Sequence, residues 1–407
     1  MARLFQSLWP VSYTHLSATT ANLNTPPDPI IQVYGGLDDE KLIGYLYKAQ
    51  NRIYDILNNK APEKICNYDN RFTLVENAIS MTMKKVQEMS ITIMRINIEK
   101  AISQFQITPA ETYLAMSGGF TLNCPANTAL IREFGFKGFL GTPCPNDAGQ
   151  ALGIGLYTFF KRMGMFEFHL DHAYYGQKDD RLDELLVDKA FAYYIDSVTE
   201  LCYEKAVEDI VNSPIVWFNS RAEIGPRALG NRSILGDPRS IQTKEVLNRI
   251  KSRQWWRPVA PVILEEDLCK WFEDAWSSPY MLNTFSVYDE KRNKIPAAIH
   301  LDQTARVQTV SRKQNPVLYD LLQTFKKKTG VPILCNTSLN DKGEPIINKA
   351  AEALNFALRK GIKIVYINRK RIVLKNSDIY PNKKPLRRPY VFSFQTAKQD
   401  NEYSLNL

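Results

Sequence analysis

Cysteine is scarce and scattered: six in 407 residues (Cys66, Cys124, Cys144, Cys202, Cys269 and Cys335), with no CxxC pair. That spacing excludes a disulfide framework and a zinc ribbon, and leaves buried thiols as the expectation. No apolar run reaches the roughly 18 residues that a membrane span needs. The opening MARLFQSLWPVSYTHLSATT lacks the charged-then-apolar layout of a secretory signal. A cytoplasmic protein with no membrane partner is expected. There are four histidines; His169 and His172 have an HxxH look, but they follow a helix end and read as non-metal residues. Internal repeats are also lacking.

What is present is an average soluble composition in a chain long enough for two domains. The net charge is +9, but eight Lys or Arg lie between Arg369 and Arg388 against the single Asp378. The remainder is nearly balanced, so this stretch reads as a solvated basic tail, with a polyanion-binding stripe as the lesser reading.

Residues 1–35 are polar and aperiodic, and little structure is expected there. Leu42, Ile43, Leu46, Ala49 and Ile53 predict a helix over 40–56. Residues 72–105, without proline, predict longer helical material. TYLAMSGG (112–119) predicts a buried strand entering a glycine turn, CPANTALIREF a helix, and FKGFLGTPCP a short strand and loop. NDAGQALGIGLYTFFKRM predicts a packed helix beginning near Asp147. This rhythm is that of an α/β lobe, placed at 36–165. A linker is expected over 166–180, ending in HAYYGQKDD.

A second α/β domain is expected over 181–380, followed by a tail at 381–407. It opens with the helices RLDELL and YEKAVEDIVNS and the strand PIVWFN. A helix follows with Asp237 as N-cap, Pro238 at its first position and Val246, Leu247 and Ile250 inward. The strands PVAPVILEE, ARVQTVS and VPILCN, a helix at 349–359 and the strand IKIVYIN complete it.

Three stretches point to chemistry. SRAEIGPRALGNRSILGDPR (220–239) and KSRQWWRPVAP (251–261) supply Arg221, Arg227, Arg232, Arg239, Lys251, Arg253 and Arg257. Guanidinium forks fit phosphate or carboxylate oxygens, and Gly225, Gly230 and Gly236 permit close backbone approach. Anion binding is expected over a set of surface pairs with Glu223, Asp237, Glu265 and Glu266. In NTSLNDKGEP (336–345), Asn336, Ser338 and Asn340 alternate and so share one face of an extended segment. They suit either a nucleotide or acyl site or an ordinary polar turn. SGGFTLN (117–123) sets Gly118 and Gly119 before a helix N-terminus, where phosphate can approach. Asp147 reads as a metal ligand or a helix N-cap, the cap being favoured when it is taken alone.

These stretches, with HAYYG, WWRPVAPVILEED, HLDQTARVQTV and GVPILCNTSLNDKGEPI, resemble the O-carbamoyltransferases of the nodulation, cephamycin, novobiocin and tobramycin type. The resemblance covers about residues 70–375. It implies a partial actin-like (ASKHA, Kae1-like) lobe followed by a YrdC-like α/β domain. It further implies that carbamoyl phosphate and ATP, with Mg2+, form carbamoyl adenylate, and that the carbamoyl group passes to a hydroxyl of a small molecule or saccharide. By motif it gives Arg227, Arg257, Asn336 and Ser338 catalytic roles. Arg221, Gly225, Arg232, Lys251, His300, Asp302, Arg306 and Asn340 would bind carbamoyl phosphate and ATP. Gly118, Gly119 and Asn123 would bind nucleotide in the first lobe, and Asp147 a metal, typically iron.

The sequence departs from the family pattern upstream of Gly118, where no histidine pair stands. A further chain supplying the missing lobe, a homodimer, or a truncated non-catalytic nucleotide-binding paralogue are the readings this leaves. A tRNA threonylcarbamoylation-type protein is the other alternative, although nucleic acid is not an expected partner.

Overall fold

The computed structural model describes residues 54–386, apart from 57, 66 and 166, together with Lys48 and Asn51. Residues 1–35, the last two residues of the basic run (Arg387 and Arg388) and the expected tail beyond 386 therefore lie outside the described residues. Of the helix expected over 40–56, Lys48, Asn51 and positions 54–56 are described and helical.

Thr73 starts the first long helix, α1 (Leu74–Phe105), through a capping box with Glu76. A two-stranded parallel sheet follows, β1 (Tyr113–Ala115) with β2 (Gly138–Leu140). Between them lies α2 (Cys124–Phe134), capped by Asn123 and closed by left-handed Gly135. β1 is largely exposed rather than buried. Helix α3 (Gln150–Met163) begins after a helical turn at Asp147–Gly149 and buries none of its residues, so it is not the packed helix its small residues suggested.

The second part is an eight-stranded mixed sheet. In chain order its strands are β3 (Ile195–Glu200), β4 (Ile215–Phe218), β5 (Arg232–Gly236), β6 (Ala260–Leu264), β9 (Gln308–Val310), β10 (Ile333–Ser338), β11 (Ile364–Ile367) and β12 (Lys370–Leu374). A separate hairpin pairs β7 (Thr284–Ser286) with β8 (Thr304–Arg306). The order across the large sheet is β3-β12-β11-β4-β5-β10-β6-β9, with β11–β4 and β6–β9 parallel and the rest antiparallel.

Central strands are apolar at consecutive positions because helices cover both faces. In β4, Ile215 and Trp217 join the core that packs on α5 (Tyr203–Asn212) and α7 (Pro316–Thr329); Val216 and Phe218 join the core on α4 (Leu182–Val187) and α8 (Ala350–Lys360). Each such side chain, fully buried, contributes about 1.5–3 kcal/mol. The α/β fold class thus holds.

Three local expectations are corrected. Helix α6 (Ile241–Ile250) starts after Ser240, not at Asp237. The Asp237 carboxylate is engaged instead by the Arg239 N–H and guanidinium. The stretch 166–180 is tied down rather than a free linker: Ala222 N–H donates to Gln177, Ile224 N–H donates to Ala173, and Asp179 caps α8 by accepting from Ala350. The basic run starts inside the sheet, where Lys370, Arg371 and Lys375 pair with Asp183, Asp209 and Asp196.

Candidate active site

A cavity of about 1190 Å3 opens at the end of the large sheet. Four loops of the second part line it: 222–228 after β4, 253–260 before β6, 300–306 into β8, and 336–348 from the end of β10. Segments 67–87 and 122–125 of the first part cover it. The cover is held by direct bonds. Asn127 donates to the Leu282 carbonyl at 2.8 Å, and Thr128 accepts the Thr284 N–H at 3.0 Å. Phe72 stacks on Trp255 with centroids 5.2 Å apart.

The arginine-rich loop is shaped by Glu223. Its Oε1 accepts the backbone N–H groups of Leu229 (2.7 Å), Asn231 (2.8 Å) and Arg232 (3.2 Å). The other oxygen, Oε2, is buried without a partner. Gly225 has φ +94°, and a Cβ there would stand 2.0 Å from the Pro143 carbonyl oxygen, so only glycine fits between the loop and the first part.

Arg227, Arg253, Arg257 and Arg306 line the cavity. Arg227 Nε and Nη2, Arg253 Nε and Arg306 Nε are buried without hydrogen-bond partners. Burial, and then the charge of Arg306, push the Arg227 guanidinium down to about 10, still cationic at neutral pH. Burial and neighbouring Arg257 and Arg306 push Arg253 likewise to about 10. Such a cluster of buried, unsatisfied donors is costly in isolation and is relieved by an anion.

Asn336, Thr337, Ser338 and Asn340 form an adjoining wall, with Arg253 Nη2 donating to Thr337 Oγ1 at 3.2 Å. Lys251 lies behind this wall. Its Nζ donates to the Ser338 carbonyl at 2.7 Å and to Ser338 Oγ, and bonds the carbonyl and Oδ1 of Asn340. Burial, and secondarily Arg253, push it down to about 7.

His300 also lines the cavity. Thr304 Oγ1 donates to Asp302 Oδ1 at 2.7 Å, so it can only accept at the 3.0 Å contact with His300 Nδ1. That fixes the Nδ1–H tautomer and leaves Nε2 with its lone pair free. Burial holds the imidazole neutral, down to about 4.

Other residues assigned by motif lie elsewhere. Arg232 is fully buried in β5, caged by the carbonyls of Asn219, Asn231, Gln177 and Ser220 and lying 3.6 Å over the Phe218 ring. Arg221 is exposed and reaches only the Tyr175 carbonyl, at 3.4 Å. Asp302 is exposed and acts through Thr304. Gly118 and Gly119 are outside the cavity lining, the Gly118 N–H being donated to Pro145. Asn123 does line it, but its amide is paired with Gln87 and caps α2. Gly225 and Asn340 line it as well.

The metal expectation finds no support. Asp147 is exposed, and no group of three or more His, Cys, Asp or Glu suited to a metal occurs among the described residues. The described residues around Asp147 do not by themselves fit a resident iron site. His172 instead accepts the Tyr174 N–H and packs on Tyr175, while His169 contacts Glu167. Sequence reasoning missed Glu223 as the loop's organiser and Trp256, Thr337 and the α1 residues of the cover. An acidic residue just upstream of the glycine-containing turn was the available signal for Glu223.

Comparisons with known proteins agree with this layout. The sequence model described as carbamoyltransferase N-terminus matches residues 34–156, and that described as carbamoyltransferase C-terminus matches residues 208–374. Nodulation protein NolNO of Sinorhizobium fredii is 38% identical over 251 residues, covering 59% of this chain and 37% of the relative. Nodulation protein U of Rhizobium tropici is 35% identical over 298 residues, 73% of this chain and 47% of the relative. The 3'-hydroxymethylcephem-O-carbamoyltransferase of Amycolatopsis lactamdurans is 35% identical over 258 residues, 63% of this chain and 48% of the relative. The chain therefore spans less than half the length of these curated relatives. With both halves of one family's pattern in order along it, the chain belongs to the carbamoyltransferase family.

Proposed function

We propose that the cavity binds carbamoyl phosphate and MgATP and forms carbamoyl adenylate, for transfer to a hydroxyl of a small molecule or saccharide. The observation that carries this reading is the group of four arginines on one cavity, three of them with buried nitrogens that lack partners. Both substrates are polyanions, and preorganised cations act best where negative charge develops.

In this reading one water cleaves carbamoyl phosphate to phosphate and carbamate. A carbamate oxygen then attacks the α-phosphorus of ATP, a new O–P bond forms, and the bond to pyrophosphate breaks. Arg227 and Arg306 hold the carbamoyl phosphate oxygens. Arg253, Arg257, Ser338 and Asn340 receive the triphosphate, and Lys251 fixes Ser338 and Asn340 from behind, its charge drawn towards the phosphates. Confining two anions side by side supplies up to about 7–11 kcal/mol of the barrier. Neutral His300 offers Nε2 as a proton acceptor for the water.

The alternative of a tRNA-directed protein draws little support from the start of the basic run, where Lys370, Arg371 and Lys375 pair with Asp183, Asp209 and Asp196. The name of the Amycolatopsis relative favours a small-molecule hydroxyl as acceptor. The test is ATP–pyrophosphate exchange dependent on carbamoyl phosphate. Exchange that is present and abolished by Arg227→Ala supports the adenylating reading; a folded protein without exchange overturns it and leaves the non-catalytic paralogue.

A further inference from the structure

The Arg227 guanidinium makes no hydrogen bond or ion pair among the described residues. No polar contact of its own fixes it, so its place in the cavity depends on the backbone span 225–228. Two consecutive residues of the stretch 172–179 hold that span at both ends. Ahead of it, the Ile224 N–H donates to the Ala173 carbonyl at 2.8 Å. Behind it, the Tyr174 phenol donates to the Leu229 carbonyl at 2.8 Å. The stretch also runs antiparallel to the loop. Ala222 N–H donates to Gln177, Gly176 N–H donates to Ala222, and Lys178 pairs with Arg221 as a β-bridge. A Cβ on Gly176 would stand 2.8 Å from the Ala222 carbonyl oxygen, so the two backbones are in contact.

The Ala173 bond is made by backbone and is indifferent to the side chain there; the Tyr174 bond is made by the side chain itself. None of residues 172–179 is among those lining the cavity, so Tyr174 does not touch a bound anion. The Leu229 carbonyl also accepts Gln308 Nε2 at 2.6 Å, and the Leu229 N–H is donated to Glu223. Removing the phenol therefore leaves no buried group of Leu229 unsatisfied and costs the fold little. It does remove the second donor. One donor lets the peptide plane rock about a single bond, whereas two fix its orientation.

Resting on the anion-binding reading of the cavity, we infer that Tyr174 is a positioning residue for Arg227. It holds the Leu229 peptide, and with it the reach of the guanidinium, and so sets anion affinity without contacting the anion. The HAYYG stretch thereby acts as a brace behind the arginine loop.

The experiment measures binding of inorganic pyrophosphate by calorimetry, and urea unfolding, for the full chain, Tyr174→Phe, Arg227→Ala and the double variant. Tyr174→Phe is expected to weaken pyrophosphate binding about fivefold or more, with an unfolding midpoint near wild type. The double variant is expected to bind no more weakly than Arg227→Ala, because the brace acts through that side chain. Unchanged affinity in Tyr174→Phe overturns the inference, and with a lowered midpoint it gives the phenol a purely structural role. A double variant that loses the full product of the two single losses overturns it too. If the wild type binds no pyrophosphate, the anion-binding reading and the inference fall together. Binding that depends on Tyr174 in a protein without ATP–pyrophosphate exchange overturns carbamoyl adenylate formation and upholds the inference.

Discussion

The Glu223 carboxylate accepts the backbone N–H of Leu229 at 2.7 Å, and the same oxygen takes the N–H groups of Asn231 and Arg232. One side chain thus folds the arginine-bearing loop back on itself. Glu223→Ala leaves three buried N–H groups without an acceptor and is expected to lower unfolding free energy by about 2–4 kcal/mol. Glu223→Gln keeps a carbonyl oxygen and is expected to lose less. Urea unfolding of the two variants decides; equal and negligible losses would remove Glu223 from its organising role.

Arg227 and Arg221 are six positions apart in the same loop, yet only Arg227 lines the cavity. Arg227→Ala is expected to reduce pyrophosphate exchange by about 100- to 1000-fold. Arg221→Ala, at an exposed position, is expected to stay within about threefold. A comparable loss from both would mean that the loop's charge acts as a field rather than through placed donors.

Lys251 is held near 7 by burial and by Arg253. A triphosphate at the Ser338–Asn340 wall favours the ammonium and raises that value. ATP binding at pH 8 is therefore expected to take up a fraction of a proton, read from calorimetry in two buffers of different ionisation enthalpy. Lys251→Arg, always charged, is expected to bind without uptake. No uptake in the wild type would place the phosphates away from Lys251.

His300 is held down to about 4 from its ordinary 6.5 by burial. The folded state then binds fewer protons than the unfolded state between these values, so stability rises with pH across that window. On acidification from about 6.5 towards 4, roughly 1–3 kcal/mol is expected to be lost. His300→Asn is expected to flatten this part of the curve. Identical pH profiles for the two proteins would show that the imidazole titrates normally.

The sequence reveals elements whose signals are local. The proline-free 72–105 stretch is α1, Asn123 caps α2, and the doubly apolar IVWF is a central strand. Signals settled by distant partners mislead. Asp237 before Pro238 has the form of a helix start, but Arg239 claims its carboxylate. HAYYGQKD reads as linker because its partners, Ala222 and Ile224, are far along the chain. Helix α7 is legible in Asn315–Pro316 and Gly330, which cap it. In the site, charge pattern alone could not separate Arg227 from Arg232. That distinction arises because β5 begins at Arg232 and turns it into a cage of carbonyls. Arg306, called from HLDQTAR, does line the cavity, whereas Asp302 of the same motif faces solvent.

The most direct measurement is a crystal structure of the protein soaked with carbamoyl phosphate and the non-cleavable α,β-methylene ATP. The account predicts phosphate oxygens within about 3 Å of Arg227, Arg253 and Arg306, in the cavity that Asn336 lines. Ligand density on another face, with those guanidinium nitrogens still unpaired, would contradict it.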